Sequence, residues 1–145
     1  MGTGFATGVR AQGTLLQRGD GGTPEVFATI GGIDGFDGPN ETQGVLDVTC
    51  IDDTTRQKLP DGLVDGGTLS LKVNWAPYAD TQQGNLRTDF AAKTLRNFKI
   101  VCTDVHATVI TFAAYVTGYN GPSIAVAGKS SGTIALTISG AVTRA

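Results

Sequence analysis

Alternation of apolar and polar residues is the feature that most limits how this chain can fold. The clearest case is residues 68–75, where the apolar members are Leu69, Leu71, Val73 and Trp75. Successive side chains of a β-strand point to opposite faces, so this pattern predicts a strand with one buried face. The same alternation recurs over residues 133–143. We therefore expect a mainly β fold of antiparallel strands.

Shorter segments add further strands to this prediction. Residues 13–18 and 25–30 flank a glycine-rich turn and are typical of a hairpin. Residues 108–119 are apolar on both faces, which is typical of a strand that is central or covered by another chain. Two more strands are predicted from the residues that share one face: Leu46, Val48 and Cys50, and Phe98, Ile100 and Cys102.

One helix is predicted at about residues 81–93. Asp80 is a residue type that caps helix N-termini, and Gln83 follows at the spacing of a capping box. Leu86 and Phe90 are four residues apart, which places them on one helix face. We expect this face to pack against the sheet.

The composition excludes several classes of protein. The 145 residues suit one domain, and 21 glycines with 17% charged residues argue against a helical bundle. A net charge of −2, from 11 basic and 13 acidic residues, gives no electrostatic basis for nucleic-acid binding. No apolar run approaches the roughly 20 residues of a membrane span. Residues 1–10 lack the pattern of a secretory signal.

The sequence predicts neither catalysis nor a cofactor. Cys102, Asp104 and His106 alternate as metal ligands on one strand face would, but Asp104 is expected to begin a turn, and further ligands are missing. No G-x-S-x-G motif supports a serine hydrolase. Cys50 and Cys102 fall on apolar strand faces and are expected to be buried thiols, with a disulfide as the alternative.

Two segments are poorly suited to a monomer. Residues 51–67 are predicted as a long loop whose Leu59, Leu63 and Val64 either fold back on the core or meet another molecule. Residues 1–11 are small and glycine-rich and are expected to form a flexible arm.

The charges are unevenly distributed along the chain. Residues 1–65 carry ten acids and four bases, and residues 66–145 carry three acids and seven bases. Copies can attract one another through such halves, unless the halves interleave within one fold.

The order of these signals resembles the major tail tube proteins of long-tailed, non-contractile, lambda-type bacteriophages. The resemblance rests on residues 46–67, on the strand 68–75 and on the helix that follows Asp80. The family run D-V-T-x-x-D-x-x-x-R-x-x-x-P-G-L-x-D is interrupted here by Asp61. Further similarity lies at residues 96–100 and 114–118 and in the last strand, so the resemblance spans about residues 12–143.

The resemblance implies a β-sandwich, nearly a barrel, in a single domain over residues 1–145. It implies a structural siphovirus virion protein, made in the host cytoplasm, whose hexameric rings stack into the tail tube. DNA would pass through the lumen during viral genome ejection without specific binding. Besides other copies, the implied partners are the tape measure, tail terminator and distal tail or baseplate proteins.

The resemblance also implies which residues meet other copies. The long loop would cross a ring boundary, and the implied residues are Asp52, Asp53, Arg56, Lys58, Leu59, Pro60, Leu63, Val64 and Asp65. The arm would grip a neighbouring copy, and its implied contacts are Phe5, Val9 and Arg10.

An alternative function is a monomeric β-sandwich module that binds a carbohydrate or a receptor. Its aromatic platform would comprise Trp75, Tyr78, Tyr115 and Tyr119. However, Trp75 falls on the apolar face of its strand, which favours a place in the core. The size of the protein in solution distinguishes the alternatives, because a tube protein forms rings or filaments.

Overall fold

A computed structural model describes residues 12–76 and 81–145 of the chain. Within these residues, antiparallel strands and one helix follow one another along the sequence. The elements are β1 (Leu15–Gly19), β2 (Phe27–Thr29), β3 (Ile33–Asp37), β4 (Thr42–Asp47), β5 (Lys58–Asp65), β6 (Thr68–Asn74), α1 (Thr81–Ala92), β7 (Arg96–Val101), β8 (Val109–Ser123), β9 (Ser131–Ile138) and β10 (Thr143–Arg144). The prediction of a mainly β, antiparallel fold with one helix is confirmed.

The long strand β8 joins two halves of an eight-stranded sheet. The strand order is β2-β1-β7-β8-β9-β6-β3, with β10 paired to β8 as well. Residues 109–114 of β8 pair with β7, whereas residues 114–123 pair with β9, with a register shift between Val116 and Gly118. β2 and β3 end the strand order without pairing with each other, so the sheet is not a closed barrel. This arrangement agrees with the predicted β-sandwich.

The core lies on the apolar faces of these strands, as the alternation predicts. In β6, Leu69, Leu71 and Val73 are buried and the residues between them are exposed. Phe98 of β7 stacks on Phe112 of β8, with 5.8 Å between ring centroids. Burial of each such side chain contributes about 1.5–3 kcal/mol, so this cluster is the main favourable term that offsets the chain entropy lost on folding.

The helix α1 occupies nearly the predicted range and packs by its predicted face. Leu86 is fully buried, and Phe90 packs partly buried against the core. Asp80 lies outside the described residues, so the proposed cap stays a prediction. The Gln83 side chain accepts a hydrogen bond from the Ala76 N–H and donates to the Asn74 carbonyl, and so ties the first turn to the end of β6.

The prediction of a loop over residues 51–67 is wrong for its second half. Residues 58–65 form β5, which pairs with β4 in a separate two-stranded sheet. Pro60 and Gly62 are typical of turns, but an edge strand with both faces in solvent tolerates them. We call residues 42–65 the exposed hairpin and residues 48–57, between its strands, the tip.

The same hairpin corrects the prediction for Cys50. β4 ends at Asp47, so Cys50 lies in the tip and is exposed rather than buried on a strand face. Cys102 is half-buried, and both thiols are free.

The predicted strand over residues 133–143 is interrupted after Ile138, and its end pairs with β8 as β10. No helix in the described ranges is long and apolar enough to cross a membrane.

Candidate functional site: the exposed hairpin

The pairing of β4 with β5 in the exposed hairpin shifts register once, because β5 has more residues than β4 across the shift. Leu46 pairs with Leu59, and Val45 with Pro60. On the other side of the irregularity, Gln43 pairs with Val64. Gly44 alone therefore faces three residues of β5, namely Asp61, Gly62 and Leu63. Three residues opposite one make this a special β-bulge, a feature that bends a strand and redirects its side chains.

Local chemistry fixes the shape of this bulge. Oδ1 of Asp61 accepts a hydrogen bond of 2.9 Å from the Leu63 N–H. Gly62 has φ +85°, a conformation that L side chains rarely adopt. The carboxylate of Asp61 lies directly over Gly44, where a side chain would displace it. The residue that interrupts the family run thus organises the bulge, which leaves Leu63 76% exposed.

The exposed hairpin carries a concentration of apolar surface. All residues of β4 and β5 are exposed. Seven large aliphatic side chains of the hairpin are exposed: Val45, Leu46, Val48, Ile51, Leu59, Leu63 and Val64. A lone two-stranded hairpin is only marginally stable in water, and exposed apolar side chains at this density mark contact sites for other molecules. The hairpin is therefore the candidate interface.

The tip is an ordered turn rather than an irregular loop. Asp47 accepts hydrogen bonds from the Thr49 hydroxyl at 2.6 Å and the Thr49 N–H at 3.0 Å, and pairs with Arg56 at 2.9 Å. These contacts, the Thr49 hydroxyl first, hold the pKa of Asp47 below its ordinary value. Asp53 accepts from the Cys50 N–H at 2.7 Å. The backbone of the tip is thereby set before any partner arrives.

The base of the hairpin is fastened to the body of the domain. Gly66 is buried close to Ile138, where a side chain would not fit. Gly67, at φ +75°, accommodates close approach to the Asn40 carbonyl. Glu41 pairs with Arg144 of β10 at 2.8 Å. The hairpin therefore leaves the domain at a defined position.

The nine residues predicted to cross a ring boundary all belong to this hairpin. Asp52, Asp53 and Arg56 lie in the tip; Lys58, Leu59, Pro60, Leu63, Val64 and Asp65 lie in β5. Sequence reasoning missed their apolar neighbours Val45, Leu46, Val48 and Ile51, because alternation at residues 46–50 indicated a buried strand. Phe5, Val9 and Arg10 lie outside the described residues, and their contacts stay predictions.

Of the aromatic side chains in the alternative function, Trp75 and Tyr119 pack against each other and the body of the fold rather than forming an open platform. Trp75 is half-buried and meets Tyr119 edge-on, with 5.2 Å between ring centroids. The Trp75 ring lies close over Gly121 and Gly132. The Tyr119 hydroxyl donates to the Gln83 carbonyl at 3.2 Å, and burial raises the pKa of Tyr119 against the opposing effect of Arg87. Tyr78 lies outside the described residues.

The candidate metal ligands do not converge. Over residues 12–76 and 81–145, no three His, Cys, Asp or Glu side chains come close enough to share an ion. Asp104 accepts hydrogen bonds from the Thr108 hydroxyl and from the Thr108 N–H. These two contacts, the hydroxyl first, hold the pKa of Asp104 below its ordinary value. Asp104 therefore serves the turn before β8.

A single β-sandwich with an unpartnered apolar hairpin defines a protein built to contact other protein chains. The sequence model of the lambda phage tail tube protein family matches residues 19–145, and the chain belongs to that family. It is accordingly a structural tail tube protein and a component of virion particles. No curated protein matches the chain.

Solved structures share the fold over nearly the whole chain. One chain from the virion of a native gene transfer agent particle has 19% identity and a TM-score of 0.70, covering 94% of this chain and 98% of its own length. A chain from the sheath/tube terminator of an extracellular contractile injection system has 13% identity and a TM-score of 0.73, covering 97% and 98%. A chain from the tube-terminating cap of the anti-feeding prophage has 13% identity and a TM-score of 0.72, covering 100% and 95%.

Proposed function

We propose that six copies of this chain close into a ring and that the exposed hairpin connects one ring to the next in the tail tube. The observation that carries the proposal is the hairpin itself. It has seven exposed aliphatic side chains, five on strands that are exposed at every residue and two in the tip. Head-to-tail contacts between identical copies close into rings when the rotation allows it, and repeated contacts between rings give a filament.

The energetics favour a contact of this kind. Covering one Leu or Val side chain contributes about 1.5–3 kcal/mol, and the hairpin offers several at once. Its base and tip are already ordered, which lowers the entropy lost on contact. The hairpin carries five acids and two bases, whereas residues 66–145 carry an excess of bases. Opposite charges on different parts of the chain steer copies together.

We propose the remaining roles from the resemblance to tail tube proteins. The arm over residues 1–11 grips a neighbouring copy, and tube ends meet terminator and distal tail or baseplate proteins. A tape measure protein occupies the lumen before DNA passes through it during genome ejection. We propose a lumen without a basic surface, because tight phosphate binding would require clustered Lys and Arg. The chain acts as a structural element without enzymatic activity.

Electron microscopy of the purified full chain at high concentration tests the proposal. We expect rings of sixfold symmetry or tubes, with sedimentation that depends on concentration. A single monomer boundary of about 15 kDa at every concentration, with no particles in micrographs, would contradict it and favour the monomeric binding module.

A further inference from the structure

A second apolar surface lies away from the exposed hairpin, between the end of α1 and the middle of β8. It is a groove of about 490 Å³ lined by Phe90, Ala91, Lys93, Tyr115, Val116 and Thr117. Phe90 is half-buried, and Tyr115 is 39% exposed. β7 pairs with β8 only as far as Ala114, and the residues of β8 just beyond that point, 115–117, line the groove together with the end of α1.

Two cations lie at this groove, and neither has an acidic partner in the part of the chain that the structure describes. Among the ion pairs of the described residues, none includes Arg87 or Lys93. The Arg87 guanidinium lies 5.8 Å from the centroid of the Phe90 ring, which lines the groove, and equally 5.8 Å from that of the Tyr119 ring. Lys93 follows the last residue of α1 with φ 56°. The groove therefore presents an apolar floor and a positive rim.

The tip of the exposed hairpin has the complementary chemistry. Ile51 is fully exposed, and Asp52 stands next to it. The carboxylates of Asp47 and Asp53 hold the turn together, whereas that of Asp52 has no partner in the described part of the chain. The five residue steps of β4 place the tip about 17 Å from the hairpin base. The tip is thus the part of the hairpin that reaches farthest from its own domain.

We propose that the tip docks into the groove of a second copy, with Ile51 against Phe90 and Tyr115 and with Asp52 facing Lys93 and Arg87. This inference rests on the proposed self-assembly through the hairpin and names the surface that receives it. The occupant is a second copy because the charges are complementary. The hairpin holds five acids and two bases, and neither Lys93 nor Arg87 at the groove has an ion pair among the described residues. Each copy offers one tip and one groove, so the contact repeats without limit.

Charge reversal on each side tests this contact. Asp52→Lys and Lys93→Glu each place like charges across the interface, and we expect each to weaken association about tenfold or more. The variant with both changes restores opposite charges and should assemble within about threefold of the unmodified chain. The matched control is Lys72→Glu, which reverses an exposed cation of β6 away from the groove and should leave assembly unchanged.

Mixing the two single variants gives the sharper result. In the mixture, the basic tip of the Asp52→Lys variant meets the acidic groove of the Lys93→Glu variant. The unchanged acidic tip of the Lys93→Glu variant meets the unchanged basic groove of the Asp52→Lys variant. Sedimentation should therefore show assembly in the equimolar mixture and much less in either variant alone. Damage to the fold by either change would persist in the mixture, so it cannot imitate this pattern.

The outcomes also separate this inference from the proposed function. If Leu63→Ala blocks tube formation while both charge reversals assemble normally, the hairpin connects copies at another surface and the docking inference is wrong. If the unmodified chain forms no tubes but the variant mixture associates, the docking stands and the proposed tube function fails. If neither associates, both are overturned.

Discussion

The carboxylate of Asp89 on α1 accepts hydrogen bonds of 2.6 and 3.0 Å from the guanidinium of Arg18 on β1, although the two residues are 71 positions apart. Both side chains are buried, with 1% and 8% of their surfaces exposed. Arg96 of β7 adds a third hydrogen bond to Asp89, at 3.1 Å. This cluster fixes α1 on the first half of the sheet, beside the groove proposed to receive the tip.

Asp89→Ala should destabilise the whole domain. It leaves the buried Arg18 guanidinium without its acceptor, and removal of one partner from a buried pair costs about 3–5 kcal/mol in the free energy of unfolding. Urea denaturation measures the change. Lys129→Ala removes the exposed pair with Asp34 and should cost about 1 kcal/mol or less. Equal effects of the two substitutions would show that the cluster does not hold the helix.

Leu63→Ala should abolish tubes and leave the monomer folded. The side chain is 76% exposed within one copy, so its loss opens no cavity in the core. At a buried interface, its truncation should cost about 1–3 kcal/mol per contact. Tube length in micrographs and circular dichroism of the monomer measure the two effects. Leu71→Ala, at a fully buried position, should instead cost about 2–5 kcal/mol in unfolding. Unfolding of the monomer by Leu63→Ala would place Leu63 in the core.

Gly62→Ala should weaken assembly through the backbone alone. Nothing lies within 4 Å of the added Cβ, but φ of +85° is unfavourable for an L residue by roughly 1–2 kcal/mol. The bulge should therefore shift and move Leu63, while the thermal unfolding of the domain stays unchanged. Gly35→Ala is the matched control, because its Cβ is equally free and its φ is not in the left-handed region. Normal tubes from Gly62→Ala would mean that the bulge has no role in stacking.

Asp104 should make the stability of the domain sensitive to acid. Its folded pKa lies below the ordinary value of 3.8, so in the range between the two the unfolded chain binds more protons. The stabilising contribution is present above about pH 4 and is lost as the pH falls through the folded pKa. Urea midpoints measured from pH 2.5 to pH 6 should fall less steeply below pH 4 in Asp104→Asn and in Thr108→Val. A slope unchanged in both variants would contradict the assignment.

Deletion of residues 1–11 should separate folding from assembly. Residues 1–11 are mostly small and offer little apolar surface to bury, so the shortened chain should keep its unfolding midpoint. Ring or tube formation should decrease, because the arm is proposed to grip a neighbouring copy. Electron microscopy at matched concentrations checks this expectation, and tubes of normal length would leave the arm without an assembly role.

The body of the fold was predictable because periodicity and burial agree there. Residues 68–74 alternate in sequence and in exposure, and α1 follows the spacing of Leu86 and Phe90. In the exposed hairpin this agreement is absent, since both faces lie in solvent. Pro60 and Gly62 therefore indicated a loop where the structure has a strand.

The ion cluster beneath α1 was not predicted from the sequence. Its one signal is that Asp89 lies three residues after Leu86, on the face of the helix that packs against the core. Its partners Arg18 and Arg96 lie far from each other in the sequence, on β1 and β7. Only the pairing of β1 with β7 brings them together.

The glycine-rich base of the exposed hairpin separates two parts of the chain whose sequences are constrained by different contacts. Side chains of the body must fit one another around Phe98 and Phe112, whereas those of the hairpin are free of such neighbours within their own copy. Substitutions between Thr42 and Asp65 can therefore accumulate without refolding the domain. If two tube proteins exchanged this hairpin, the specificity of the contact between copies would be exchanged with it. Recombination at Asn40 and Gly67 could therefore change which copies bind each other without changing the body of the fold.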